Sequence, residues 1–228
     1  QVILNMLDKI ATRGDELGVT PRLVKVGGDD EHPLIESGRI DQIASAQAAG
    51  AIAAGPLAIG GTAWLFSRPE LTETLDYLFI EEAGQFSLAN AVAVGSSASN
   101  LILLGDQMQL SQPLQGSHPG ESGLSALAYL LQGRATVPPE LGIFLGRSYR
   151  MHPDVCRIIS DAHYDGRLES APLTRENRII GAESTVVGLE SGVRFHPVDH
   201  AGCTQNSDEE VHAIASMVER LRANPGDV

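Results

Sequence analysis

The sequence predicts an α/β fold built on mainly parallel sheets, and two observations carry that prediction. Short continuous runs rich in Val, Leu and Ile recur at Arg22–Val26, Pro56–Ile59, Tyr77–Ile80, Leu101–Leu104 and Ile143–Leu145. Unbroken apolar runs of this length suit strands buried on both faces, whereas half-exposed strands alternate. Segments of helical periodicity lie between most of them, and strand alternating with helix is what the crossovers of a parallel sheet require.

The elements follow in order. Gln1 falls within a helical pattern formed by Val2, Ile3, Met6, Leu7 and Ile10, so the chain is expected to be an internal segment of a longer protein. Gly27–Pro33, with His32, reads as an acidic, Gly-rich turn. Gln42–Ala54 is rich in Ala with no proline and predicts a helix. A second is predicted over Glu121–Leu131, where Leu124, Leu127, Ala128 and Leu131 share one face and Ser122 is placed to cap. The stretch from Gly116 through Ser117, His118 and Pro119 to Gly123 has too much Gly and Pro for regular structure. It is either a plain connection or a border of a ligand path. Gly133–Gly142, with Pro138 and Pro139, interrupts the pattern and predicts a boundary between domains 1–137 and 138–228. Beyond it, Pro153 is placed to start a helix over Asp154–Ala162, and Gly192–Val198 reads as a strand. Ser207-Asp208-Glu209-Glu210 has capping-box spacing before an amphipathic run to Leu221.

Composition excludes several function classes. A formal charge of −13 argues against a broad basic face for nucleic acid and leaves room only for a local channel. No apolar run approaches the roughly 18 residues needed to span a bilayer. No leader is visible either, so a soluble, cytoplasmic protein with no membrane partner is expected. Cys156 and Cys203 lack CxxC spacing and read as reduced structural thiols. The histidines show no HExxH or other paired ligand spacing, and none is assigned to a metal.

The strongest chemical feature is the apolar run Tyr77–Ile80 leading into Glu81-Glu82-Ala83-Gly84-Gln85. Ligands of open α/β sheets bind at the carboxyl ends of strands. Adjacent acids there suit nucleoside triphosphate hydrolysis, one holding the magnesium shell while the next orients or deprotonates the attacking water. Solvated acids leading into a loop are the plainer alternative. One strand later, Leu101–Leu104 runs into Gly105-Asp106-Gln107-Met108-Gln109, followed by Ser111-Gln112-Pro113. Gly105 permits a sharp turn, and the neutral amide of Gln109 can hydrogen-bond a terminal phosphate or the attacking water without responding to pH. A polar turn ended by Pro113 is the alternative. In Ser148-Tyr149-Arg150-Met151-His152-Pro153, Arg150 offers a permanent charge that can neutralise a transferring phosphoryl group, or else serves in a surface ion pair.

Taken together and in this order, FIEEAGQ, LLGDQMQLSQP and YRMHPDVCRIISDAHYDGRL resemble motifs II, III and IV of superfamily 1B helicases, which move 5′ to 3′. ESGLSALAYLL and MHPDVC…YDGRL look like bacterial AAA-type helicases fused to RecB-like nuclease domains. The resemblance implies two RecA-like P-loop NTPase lobes, both incomplete, using ATP and Mg2+ and moving on single-stranded DNA or RNA. It makes Glu81 and Glu82 the Walker B acids, with Glu81 holding Mg2+ through water. Gln109 becomes the motif III glutamine and Arg150 the motif IV arginine reaching ATP from the second lobe. Gln85, Gly105 and Asp106 then line the nucleotide. Gly60-Gly61-Thr62-Ala63-Trp64 looks like a strand-contacting motif, with Thr62 at the backbone, Trp64 as a base platform or a core residue, and Pro153 on the nucleic-acid side.

The chain departs from the pattern at two points. Glu81 stands where the family usually carries Asp, which moves the carboxylate out by about one C–C bond at a metal that demands near-octahedral geometry. No GxxxxGK[ST] loop occurs within the 228 residues, so this segment alone is expected to be inactive. The rival expectation is a non-catalytic, helicase-like scaffold or nucleic-acid-binding module. A paired-acid hydrolase is disfavoured, because neighbouring strand residues face opposite ways.

Overall fold

In the computed structural model, which describes residues 2–28, 31–110, 116, 119–179 and 190–223, the chain is mixed α/β with short parallel sheets. It divides into two units, Gln1–Gly133 and Arg134–Val228. No helix among the described residues is long and apolar enough to cross a membrane.

The first unit opens with α1 (Val2–Glu16), which buries Leu4, Leu7 and Ala11 at helical spacing against Leu23 of β1 (Leu23–Val26). All four residues of β1 are buried, as a central parallel strand requires. Parallel neighbours pair with it on both sides, β2 (Asp41–Ile43) and β3 (Ala58–Gly60), separated in the chain by the short α2 (Pro33–Glu36) and by α3 (Ala48–Ala53). The helix predicted over Gln42–Ala54 is therefore shorter than expected. Gln42 and Ile43 sit in β2, a 3-10 turn covers Ser45–Gln47, and only the remainder is α-helical. Helix propensity yields here to the ladder bonds that β1 offers along its edge.

After α4 (Ala63–Phe66), a second sheet pairs β4 (Leu75–Ile80) in parallel with β5 (Ala98–Leu103), with Leu78 opposite Leu101 and Ile80 opposite Leu103. The connecting helix α5 (Leu88–Gly95) starts at Ser87, whose hydroxyl accepts a hydrogen bond from Asn90 N at 3.2 Å. One apolar cluster joins Val24 and Val26 of β1, Leu65 and Phe66 of α4, Leu78 and Ile80 of β4, and Val94 of α5. Helix α6 is limited to Ala126–Leu131, with Ser125 as its cap, accepting from Ala128 N at 3.1 Å. The predicted start at Glu121 fails for a backbone reason. Leu88 N donates to Leu124 O and Ala126 N to Phe86 O, each at 2.8 Å, holding Ser125 extended across from Ser87 at the start of α5. Ser122 is left to donate to Pro119 O and caps nothing.

In the second unit, β6 (Arg147–Ser148) pairs in parallel with β7 (Glu169–Ser170), and α7 (Pro153–His163) connects them. Its interior is small and polar: Cys156, Ser160, Ala171 and Thr174 are buried, and the Ser160 hydroxyl accepts from Leu168 N at 2.9 Å. The strand predicted at Ile143–Leu145 does not form. Only its continuation at Arg147 finds a ladder partner, and Ile143 and Leu145 are exposed. Gly192–Val198 likewise has no strand partner among the described residues. The final helix, α8 (Asp208–Ala223), begins as its capping spacing predicts, with the Ser207 hydroxyl accepting from Glu210 N at 3.2 Å. The return half of the box is absent, because Glu210 turns to His200 Nε2 at 3.0 Å.

Candidate functional site

Parallel pairing of β4 with β5 brings two loops to the same sheet edge. Glu81, Glu82 and Gln85 follow the carboxyl end of β4, and Gly105, Asp106 and Gln109 follow that of β5. The chain turns sharply after Ile80 because Leu104 N donates to Ile80 O at 2.8 Å and Ala83 N donates to Leu104 O at 2.9 Å. Gln85 N closes the turn on Glu82 O at 2.8 Å, and both acidic side chains remain exposed. Glu82 adopts φ 56°, a left-handed conformation that costs a non-glycine residue about 1–2 kcal/mol.

What fixes this geometry is direct contact between two stretches of backbone. A Cβ on Gly84 would stand 2.1 Å from Asp106 O, and one on Gly105 would stand 2.7 Å from Ala83 N. Both positions therefore exclude every side chain. Ala83 is fully buried beneath this contact. Gly105 stands where a turn is expected from the sequence, whereas the requirement at Gly84 comes from this contact. The signal was a glycine two residues after an acid, matched by another glycine at the end of the next strand.

Beyond the contact, the second loop is ordered by its own side chains. Asp106 Oδ1 accepts from Met108 N at 2.9 Å, and Oδ2 accepts from Gln109 Nε2 at 3.1 Å. The predicted continuation, Ser111-Gln112-Pro113, lies outside the described residues, as do Ser117 and His118 of the Gly- and Pro-rich stretch.

Hard oxygen donors at this edge fit magnesium. That ion is usually held by one or two carboxylates together with substrate phosphates, not by an all-protein cage. Among the described residues no three His, Cys, Asp or Glu side chains converge on a metal-sized point.

Thr62 and Trp64 sit just past β3. Thr62 is the residue before α4, and its hydroxyl makes no capping bond. Trp64 is 85% exposed while the next two residues, Leu65 and Phe66, enter the core, so the packing alternative for Trp64 is overturned. The four-residue helix explains this, since its inward face is already filled by those two side chains.

Arg150 belongs to the second unit, after β6. Its N–H and that of Met151 both donate to Ser148 Oγ at 3.3 Å, and Asn177 Nδ2 donates to Arg150 O at 2.9 Å, so the backbone is pinned while the side chain is exposed. Among the described residues no carboxylate pairs with its guanidinium. Pro153 is half-buried as the first residue of α7, after His152, whose ring nitrogen accepts from Asp154 N at 3.2 Å. Hydrogen bonding by the Ser191 hydroxyl, with smaller help from His152 and Arg157, holds the Asp154 carboxyl below its usual range. No protein-family model matches the chain.

Proposed function

We propose that this chain is part of an ATP-dependent helicase or translocase motor of superfamily 1, built from two RecA-like lobes and working in the cytoplasm on single-stranded DNA or RNA. The observation that carries the reading is the shared edge of β4 and β5, where Glu81, Glu82, Asp106 and Gln109 are set by glycine-only backbone contact. Such an edge is where α/β sheets bind ligands, and phosphoryl transfer depends almost entirely on positioning and charge stabilisation.

In this reading Glu81 holds Mg2+ through water, and the ion supplies neutralisation of charge on the phosphates. Glu82 orients the attacking water and accepts its proton. Gln109 hydrogen-bonds at the same locus, with Gln85 and Gly105 lining it and Asp106 bonded to Gln109. Arg150 is assigned to offset charge on the transferring group. Thr62 and Trp64 meet the nucleic acid, where stacking on an exposed indole contributes about 1–3 kcal/mol per base, and Pro153 is a further nucleic-acid contact. A RecB-like nuclease domain in the parent protein is part of the proposal.

The test is ATP hydrolysis by the full-length parent with and without single-stranded DNA. Glu82→Gln and Arg150→Ala should each lower kcat by about a hundredfold or more. Wild-type turnover in both variants refutes the assignment. Glu81 in place of the family's usual aspartate favours a second reading, a motor fold retained for nucleic-acid binding or scaffolding without turnover. Magnesium-ATP binding by the full-length protein without hydrolysis would support that reading.

A further inference from the structure

The hydrogen bonds of Asp106 determine what Gln109 has left to offer. A primary carboxamide presents donors at its nitrogen end and an acceptor at its oxygen end. With Nε2 donating to Asp106 Oδ2 at 3.1 Å, the nitrogen end faces the carboxylate and the Oε1 end faces away from it. Donation to a full negative charge also polarises the amide, making Oε1 a stronger acceptor. Both carboxylate oxygens of Asp106 are engaged within the loop, Oδ1 with Met108 N and Oδ2 with Gln109. Its backbone is fixed against Gly84, where no side chain fits.

We propose that Asp106 is a positioning residue that turns the Oε1 of Gln109 outward as a hydrogen-bond acceptor for the attacking water, and that Asp106 does not itself contact the nucleotide. The proposal rests on the ATP-hydrolysing reading above. A phosphate oxygen and Oε1 are both acceptors, so an outward Oε1 suits a water proton and not the terminal phosphate. A carboxylate bound into its own loop is likewise kept from repelling that phosphate.

The test uses steady-state ATP hydrolysis by the full-length parent on single-stranded DNA. Asp106→Asn keeps an oxygen for Met108 N but replaces the acceptor of Gln109 with a donor, so the carboxamide turns round and presents its nitrogen outward. We expect kcat to fall by about ten- to a hundredfold, with KM for ATP changed by less than about twofold, because the ground-state contact is not Asp106's. Combining Asp106→Asn with Gln109→Glu restores an acceptor paired to the new amide and should recover most of the lost kcat. On a Gln109→Ala background, Asp106→Asn should have no further effect.

Unchanged kcat in Asp106→Asn, a rise in KM alone, or no recovery in the paired variant each overturns the proposal. Glu82→Gln in the same assay separates the two levels. If it abolishes hydrolysis while Asp106→Asn is neutral, only the positioning role fails. If it leaves hydrolysis intact, the hydrolase reading fails and this proposal with it.

Discussion

Glu82 holds its left-handed backbone with the side chain exposed, so nothing gained by burial explains the conformation. Strain of this kind persists only where the surroundings impose it, and it clusters at working sites. Here the imposing structure is visible in the turn bonds of Ala83 and Gln85 and in the contact of Gly84 with Asp106 O. Two substitutions should consequently move stability in opposite directions. Glu82→Gly relieves the strain, less the flexibility that glycine adds to the unfolded chain, and should stabilise by about 0.5–1 kcal/mol in urea melts of the 228-residue protein. Under the proposed function, the same change should also abolish ATP hydrolysis. Gly84→Ala forces two backbones apart and should destabilise by about 1–3 kcal/mol. The sequence carries only the matched pair Gly84 and Gly105, and it does not show that the two backbones touch.

Among the elements, β4 and β5 could be read from their apolar runs because each supplies the other's ladder. Ile143–Leu145 has the same composition and forms no strand, since composition records a preference and cannot say whether a neighbour lies alongside. Helix starts show the same limit. Ser207 was recognised from capping spacing, whereas the cap of α6 moved from Ser122 to Ser125 through the two backbone bonds to Phe86 and Leu88, which no local pattern encodes. Removing that cap by Ser125→Ala should cost about 1 kcal/mol of stability in the same melts. At the start of α7, the depressed Asp154 carboxyl contributes stability that is complete above its unfolded pKa near ~4 and fades as pH falls through its lower folded value. Ser191→Ala removes the largest cause. Carboxyl NMR titration should then show the Asp154 pKa rising toward its ordinary value, with the loss of stability seen at neutral pH disappearing in strong acid.

At the scale of the molecule, the sheet of β4 and β5 is covered on one face only. Leu78 and Ile80 are buried, while Tyr77 and Phe79, which alternate with them along β4, are exposed. Parallel sheets are ordinarily buried on both faces, so the 228-residue protein should bind a hydrophobic dye strongly. Tyr77→Lys with Phe79→Lys should suppress that binding and leave the far-ultraviolet circular dichroism unchanged. The α/β class was legible at this scale, because parallel strands advertise themselves by unbroken apolar runs; the division of the first unit into two separate short sheets was not. Trp64, finally, is the only tryptophan in the chain and stands 85% exposed at the foot of a four-residue helix. All the indole emission of the protein therefore comes from one solvated ring. Unfolding moves that ring from water to water and should barely shift its spectrum, whereas a base stacking on it would quench the whole signal. If nucleic acid binds as proposed, intrinsic fluorescence becomes a gauge of its occupancy and stays nearly blind to folding.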